Sequence, residues 1–279
     1  MKFGLHVPAV RPHELIRMAE EAEAAGWDGL FPWDMIWGIN VWVCLAGVAA
    51  RTSRLRLGPI ITPLSRRRPW AVASEVATLD HLSNGRAVLM VGLGAALEAP
   101  PHNWFERVGE VTDRKTRAEM LDESLDIITG LWQGQPFSYT GRHYRLQDVD
   151  FDLVPVQQPR VPIWCVGAWP RPKSMQRVLR CDGILPAVMK PEGGFGELTP
   201  DDVRAIRDYV ATNRTLTTPF DIVVEGETPG DNPEQATVQA RRWAEAGVTW
   251  WLEDVWATPQ KTGGLEGMIQ RIRQGPPKL

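Results

Sequence analysis

Cysteine is scarce: Cys44, Cys165 and Cys181 are spread along 279 positions with no Cys-x-x-Cys pair. That excludes a disulfide framework and a zinc knuckle, and each thiol reads as a small buried hydrophobe. His6, His13, His81, His102 and His143 form neither His-x-His nor His-Glu-x-x-His, so no metal site is expected and metal-dependent hydrolysis lacks its ligand set. Positive charge is not in excess. Against 34 Asp and Glu stand 31 Lys and Arg, a formal net charge of −3, so nothing is available to neutralise a nucleic acid backbone. The longest apolar run, Val41 to Ala50, falls short of the roughly 20 residues that a membrane span needs and ends on Arg51. Lys2 is followed by Pro8, Arg11 and Pro12 rather than by the apolar stretch of a signal peptide. The expectation is a cytoplasmic protein with no membrane partner. No Gly-, Ser- or Pro-rich linker interrupts the chain, which favours one domain over residues 1–279.

What the chain does contain is an alternation of short β-rich runs with helical stretches. Strands are expected at Phe3 to Val7, Gly29 to Trp33, Leu55 to Thr62 and Arg86 to Leu93, then at Pro162 to Val166, Gly183 to Ala187, Phe220 to Glu225 and Val248 to Glu253. Between them, Pro12 opens a helix that Gly26 stops, Val41 to Arg51 forms a second, and a third runs from Pro69 to Ser83, closed by Asn84-Gly85. A long helix from about Lys115 to Trp132 precedes an insertion at about 134–160, in which Phe137 to Tyr139 and His143 to Leu146 read as a hairpin through Gly141. Further helices are expected near 171–180, 201–213, 233–246 and 264–273. Eight strand-helix units in this length match an α/β fold of the (β/α)8 TIM-barrel type with a small insertion after the fourth unit. A doubly wound sheet is disfavoured. Its glycine fingerprint belongs after the first strand, whereas Gly92-Leu93-Gly94 follows the fourth and lacks the third glycine.

On a barrel, chemistry sits where strands end. Those ends carry His6, Asp34, Thr62 with Arg66-Arg67-Arg68, Gly92-Leu93-Gly94, Val166-Gly167-Ala168, Ala187 with Lys190, Glu225 and Glu253. In Leu79-Asp80-His81-Leu82-Ser83-Asn84-Gly85-Arg86, leading into Ala87 to Gly94, the sequence resembles the bacterial-luciferase-like flavin-dependent oxidoreductases. Ala24 to Gly29, Leu57 to Leu64, Pro162 to Gly167 and Cys181-Asp182-Gly183 support the resemblance, which covers nearly the whole chain. It implies a reduced flavin or deazaflavin across the barrel mouth, with strand three bulging against the ring through an unusual cis peptide near Ile60-Ile61-Thr62.

The resemblance also implies roles for residues. Ile61, Thr62, Leu93, Gly94 and Val166 would back the ring, while Gly167, Ala168, Ala187 and Lys190 would meet the phosphate through backbone N–H groups and a cation. Tight turns are the plainer reading of these glycines. Asp34 stands where the family places an acid, though a helix N-cap or a structural ion pair would explain it equally. Many relatives follow this acid with histidine, and here stands Met35, which cannot transfer a proton. His6 is the nearest substitute as an acid-base group, with a structural histidine as the alternative. The arginines before the third helix oppose its dipole and need a compensating anion or carboxylate, the flavin tail, an acidic substrate and plain surface solvation being the readings open to them.

Tryptophan is abundant, 13 residues, and Trp33, Trp37, Trp70, Trp164, Trp169, Trp250, Trp251 and Trp256 fall near expected strand ends. Trp33, Trp37 and Trp251, with Glu225 and Glu253, are the candidate substrate-pocket residues, the others serving core or subunit packing. The apolar circumference of the Val41 to Ala50 helix suggests a covering second chain, hence a homodimer, in line with the family's habit. The leading expectation is a monooxygenase that uses reduced FMN and dioxygen on a small organic substrate, supplied by a separate flavin reductase. The alternatives are hydride transfer with the deazaflavin coenzyme F420, and a flavin-binding protein without catalysis.

Overall fold

The computed structural model describes residues 1–94, 104–255 and 264–279, so Trp256 and His102 lie outside the described residues. A ring of parallel strands forms the centre. In chain order these are β1 (Lys2–Val7), β2 (Gly29–Pro32), β3 (Arg56–Leu57), β4 (Thr62–Pro63), β5 (Leu89–Gly92), β8 (Ile163–Trp169), β9 (Gly183–Val188), β10 (Asp221–Gly226) and β11 (Trp250–Asp254). They pair in the order β3-β2-β1-β11-β10-β9-β8-β5-β4. The third barrel strand is divided into β3 and β4 by a cis peptide at Ile60-Ile61, at the position expected from the sequence. Its first half pairs with β2 and its second half with β5, and parallel bridges Leu57↔Ala87 and Trp33↔Ile60 close the ring. The TIM-barrel expectation is met with that one interruption. The fourth strand starts later than expected, at Leu89, and ahead of it Arg86 turns its guanidinium onto the carbonyls of Ala49, Thr52, Leu55 and Ser83.

Alternation along the strands produces two cores. Phe31, Ile60, Val88, Met90, Trp164, Leu185, Val223, Trp250 and Leu252 fill the barrel interior. Their partners of opposite parity, among them Leu5, Val7, Leu30, Leu89, Val91, Ile163 and Trp251, pack beneath the helices. Phe31, Trp164 and Trp250 lie with ring centroids 5.3–5.9 Å apart and plug the lower barrel. Gly183 makes this possible. A Cβ there would come within 2.5 Å of the Trp164 ring, so any larger residue would displace the indole.

The helices that clothe the ring include α1 (Pro12–Ala24), α2 (Val41–Arg51), α3 (Pro69–Leu82), α5 (Arg114–Leu131), α6 (Pro172–Val178), α7 (Pro200–Asn213), α8 (Pro233–Ala246) and a last helix, Leu265–Arg273. Proline at the first turn sets the entry of α1, α3, α6, α7 and α8. Asn84 and Gly85, both at positive φ, turn the chain after α3 as the sequence indicates. Within its own chain α2 buries Val41, Trp42, Cys44, Leu45, Val48 and Ala49, and only Val43 of its large apolar residues stays outside, 70% exposed. The inserted hairpin, β6 (Phe137–Thr140) with β7 (Arg145–Val149), is held on α5 by the Glu123 carboxylate, which accepts from the N–H groups of Arg142, His143 and Tyr144 at 2.7–3.0 Å. Among the described residues no helix is long and apolar enough to cross a membrane.

Candidate active site

At the C-terminal ends of the strands opens a cavity of about 270 Å³. Its apolar wall is made by Trp33, Ile36, Ile60, Ile61, Pro63, Trp104 and Phe105, and its polar groups are His6, Asp34, Arg66 and Glu225. Strand parity aims them there: His6 of β1 and Glu225 of β10 sit two residues beyond the interior positions Gly4 and Val223 and so on the same face. His6 Nδ1 lies 4.0 Å from Glu225 Oε2 and 3.8 Å from Asp254 Oδ1. Asp254 reaches this place because β1 and β11 pair with His6 opposite Asp254. Loss of hydration pushes the Glu225 carboxyl above the usual glutamate range, helped by Asp254 and opposed by His6. Protein surrounds the carboxyl on most sides of the concave mouth, yet 43% of its side chain remains open to the cavity. Of the three, Glu225 is the most accessible acid-base group, ahead of Asp254 at 32% and His6 at 13% exposed.

Asp34 is buried on the opposite side of the opening and joins two cations. Arg67 donates to its Oδ1 at 3.2 Å, and Arg66 lies 3.5 Å from Oδ2 while donating to the Asp34 carbonyl at 3.2 Å. Arg67 also bonds Glu75 on α3 at 3.1 Å, so the compensating carboxylates demanded by the arginine run are Asp34 and Glu75. Arg68 instead lies over the Trp70 ring. Burial pushes both carboxyls up, and Arg67 counteracts in each case. The folded chain therefore holds protons here that the unfolded chain releases. The stability these two groups contribute is full below the ordinary carboxylate range and is lost as pH rises through their raised values. Glu75→Gln removes one of them, so the melting temperature of the variant relative to the parent rises as pH climbs from the ordinary glutamate range through the raised value. A relative melting temperature flat with pH would refute this assignment.

The remaining expected residues divide. Ile61 and Gly94 line the cavity, and Val166 packs against the barrel interior beside it. Gly94 has φ of 72°, and a Cβ there would fall 2.8 Å from Phe105 and 3.0 Å from Pro63, so only glycine keeps this wall open. The Leu93 and Gly94 carbonyls accept from Arg117 at 2.7 and 3.0 Å, which holds the turn in place. Ala168 and Ala187 are neighbours at the ends of β8 and β9, but the Ala168 N–H is already given to Ser174 Oγ at 2.9 Å. Lys190 is exposed in the turn beyond β9.

Four expectations are corrected. Thr62 is fully buried opposite Val91 and contributes nothing to the cavity wall. Gly167 faces Ile184 and Val178 in the helix-packed layer. Trp251 and Glu253 also point outward, Trp251 against Trp243, and Glu253 into a buried cluster with Arg271 at 3.2 Å, the Thr228 N–H at 2.8 Å and the Trp251 indole at 3.1 Å. A single step along β11 separates them from the inward pair Trp250 and Asp254. Trp37 stands at the rim, 40% exposed and 6.0 Å from Trp104. Sequence reasoning missed Asp254, Ile36, Pro63, Trp104 and Phe105. Strand parity would have indicated Asp254. Nothing local marks Trp104 and Phe105, which arrive on α4 (Trp104–Arg107) outside the strand ends.

A flat tricyclic cofactor fits these residues. Gly92 and Gly94 leave open a cradle that Cβ atoms would fill, the one against Ile61 at 2.5 Å and the other against Phe105. Asp34 Oδ2, buried in the cavity lining, makes no hydrogen bond among the described residues.

The luciferase-like monooxygenase profile matches residues 1–267. The chain is 30% identical over 270 residues to an F420-dependent glucose-6-phosphate dehydrogenase of Mycobacterium avium, covering 89% of this chain and 75% of that one. It is 31% identical over 205 residues to a putative coenzyme F420-dependent oxidoreductase of Mycobacterium tuberculosis, covering 68% of this chain and only 56% of that protein's length. A solved F420-dependent secondary alcohol dehydrogenase superposes with a TM-score of 0.77 at 16% identity, over 99% of this chain and 98% of that one. The monooxygenase RslO1 from Streptomyces bottropensis does so with 0.72 at 20%, over 98% and 97%. At such identities the structures establish the fold alone. The expectation of reduced FMN with dioxygen is overturned by the sequence relatives, whose names specify F420 rather than flavin. Solved structures of this fold are named with F420 and with FMN, so the motifs that identify it do not separate the two cofactors. From its first strand into its last helix, the chain belongs to the luciferase-like monooxygenase family.

Proposed function

We propose that the chain is an F420-dependent oxidoreductase that interconverts a small alcohol and its carbonyl compound. The observation that carries this reading is the placement of Glu225, with His6 and Asp254 behind it, at the wall of an apolar cavity that also contains Ile60-Ile61 and Gly94. The names of the relatives support the choice of cofactor. When bound, the deazaflavin supplies two-electron hydride chemistry without oxygen.

The protein supplies the proton and the setting. Glu225, raised and open to the cavity, takes the proton of the substrate hydroxyl during oxidation and returns it to the carbonyl oxygen during reduction. His6 Nδ1, 4.0 Å from Glu225 and 3.8 Å from Asp254, lends electrostatic support to the ionised Glu225 carboxylate. Ile60, Ile61, Pro63 and Phe105 exclude water from the reacting face. The Asp34-Arg66-Arg67 cluster keeps that face rigid. Ala187 near the end of β9 and Lys190 in the turn beyond it are the residues for the anionic tail of the cofactor.

Titration of the protein with F420 and with reduced FMN tests the reading, followed by anaerobic assay with alcohols. Binding of F420 and its reduction at an undiminished rate without oxygen are expected. Failure to bind F420 would sink the reading. Lys190→Ala weakens F420 binding by about two- to five-fold, as for an exposed charge pair, with the ring-binding residues intact.

A further inference from the structure

The cavity wall contains a buried aromatic that neither core accounts for. Phe105, on α4, is 5% exposed, yet among the described residues it packs neither in the barrel interior nor in the layer beneath the helices. We propose that Phe105 is a positioning residue for the cofactor ring, locking Arg66 and the Gly94 turn into one wall. This rests on the F420 reading above and names the side chain that keeps the slot in shape.

The ring meets two cations. The guanidinium carbon of Arg66 lies 5.6 Å from its centroid and that of Arg117 lies 5.3 Å away. Both fall within the roughly 6 Å over which a ring quadrupole attracts a cation, and the attraction grows where water is excluded. Water is excluded here: the Arg66 side chain is 8% exposed and Arg117 is 5% exposed.

Each cation in turn holds part of the cavity. Arg66, on the short helical turn Leu64–Arg66, donates to the Asp34 carbonyl at 3.2 Å and lies 3.5 Å from the Asp34 carboxylate. Arg117, on α5, donates to the Leu93 and Gly94 carbonyls at 2.7 and 3.0 Å. The ring also touches the turn directly, since a Cβ on Gly94 would fall 2.8 Å from Phe105 Cζ. Phe105 thereby joins the end of β2, the turn after β4 and the end of β5, three segments whose residues Asp34, Arg66 and Gly94 all line the cavity.

Shape alone does not account for an aromatic at this place. An aliphatic side chain would fill the space but has no negative face, so two buried guanidinium groups would lose the quadrupole that each lies against. Arg66 would then be free to swing its long side chain into the space a flat ring needs, and the Gly94 turn would lose its backing.

Quenching of F420 fluorescence by the parent protein comes first, and absence of binding defeats the cofactor reading and this one with it. In a parent that binds, Phe105→Leu weakens F420 binding by about three- to thirty-fold, the range of one or two cation–ring contacts in a dry site. A ring-difluorinated phenylalanine in place of Phe105 keeps the outline of the ring and drains its negative face, so it weakens binding by about two-fold, a loss that packing would not produce. A double-mutant cycle with Arg66→Gln completes the test: Phe105→Leu costs less affinity in the Arg66→Gln background than in the parent, by about two-fold or more. Additive losses, parent affinity in the difluorinated protein, or unchanged affinity in a folded Phe105→Leu protein each overturn the proposal while leaving F420 dependence intact. Should Phe105→Leu not fold, Phe105→Met, an unbranched apolar substitute, replaces it. Failure of both to fold assigns Phe105 to the fold rather than to the site and also overturns the proposal.

Discussion

On the proposed reading, replacing Glu225 with glutamine lowers kcat for F420-dependent alcohol oxidation by about a hundred- to ten-thousand-fold, the usual contribution of a positioned general base. Glutamine keeps the shape of the side chain but cannot accept a proton from the substrate. The pH profile gives the sharper diagnosis. Oxidation requires the ionised carboxylate, and burial raises the carboxyl above its ordinary range. The parent enzyme therefore loses oxidation activity as pH falls through that raised value and recovers it above. Carbonyl reduction runs the other way, because it draws on the protonated acid. His6 opposes the upward shift, so His6→Asn moves the limb to higher pH in both directions, whereas Glu225→Gln abolishes it. Measurement of kcat/KM against pH for the three proteins checks this. A limb retained in Glu225→Gln would remove the carboxylate from its role.

Glu253→Ala destabilises the fold by about 3–5 kcal/mol, the cost of breaking a buried ion pair from one side. Glu253 is 2% exposed and accepts from Arg271, from both the N–H and hydroxyl of Thr228, and from the Trp251 indole. Truncation leaves the Arg271 charge, 10% exposed, without its partner and frees three further donors in a dry interior. The melting temperature falls by roughly 10 °C in a chain of this size. Glu253→Gln loses less, since its amide oxygen still accepts from Thr228. Because Glu253 faces the helices, kcat per folded molecule stays within about two-fold of the parent in either variant, as expected for a substitution that leaves the reacting groups untouched. Thermal denaturation with active-site titration separates the two quantities. A large loss of kcat at full stability would return Glu253 to the reacting face.

Much of the site was legible because motifs and turns are local. The Ile60-Ile61 interruption, Gly94 and Asp34 fall where strand ends and family motifs put them, and Glu225 falls at a strand end with no motif to mark it. The error at Trp251 and Glu253 has a specific origin. Both sit in a run, Trp250-Trp251-Leu252-Glu253-Asp254, whose two faces each carry an indole and a carboxylate, so composition offers no reason to prefer one face. Trp104 and Phe105 were missed for a different reason. They reach the cavity on α4, and neither spacing nor period announces a wall built from outside the strands.

By itself the sequence determined the succession of strands and helices, the helix entries at proline, the turn at Asn84-Gly85 and the family to which the chain belongs. These depend on period, capping and motif, which act over a few neighbouring residues. Only the tertiary structure decided which carboxylate meets His6. That depends on the register of β1 against β11, which sets Asp254 opposite His6, and on the closure of the ring, which brings Glu225 across from a third strand. A shift of one residue in that register would exchange the reacting face with the helix-packed one, and no local signal in the chain carries that information.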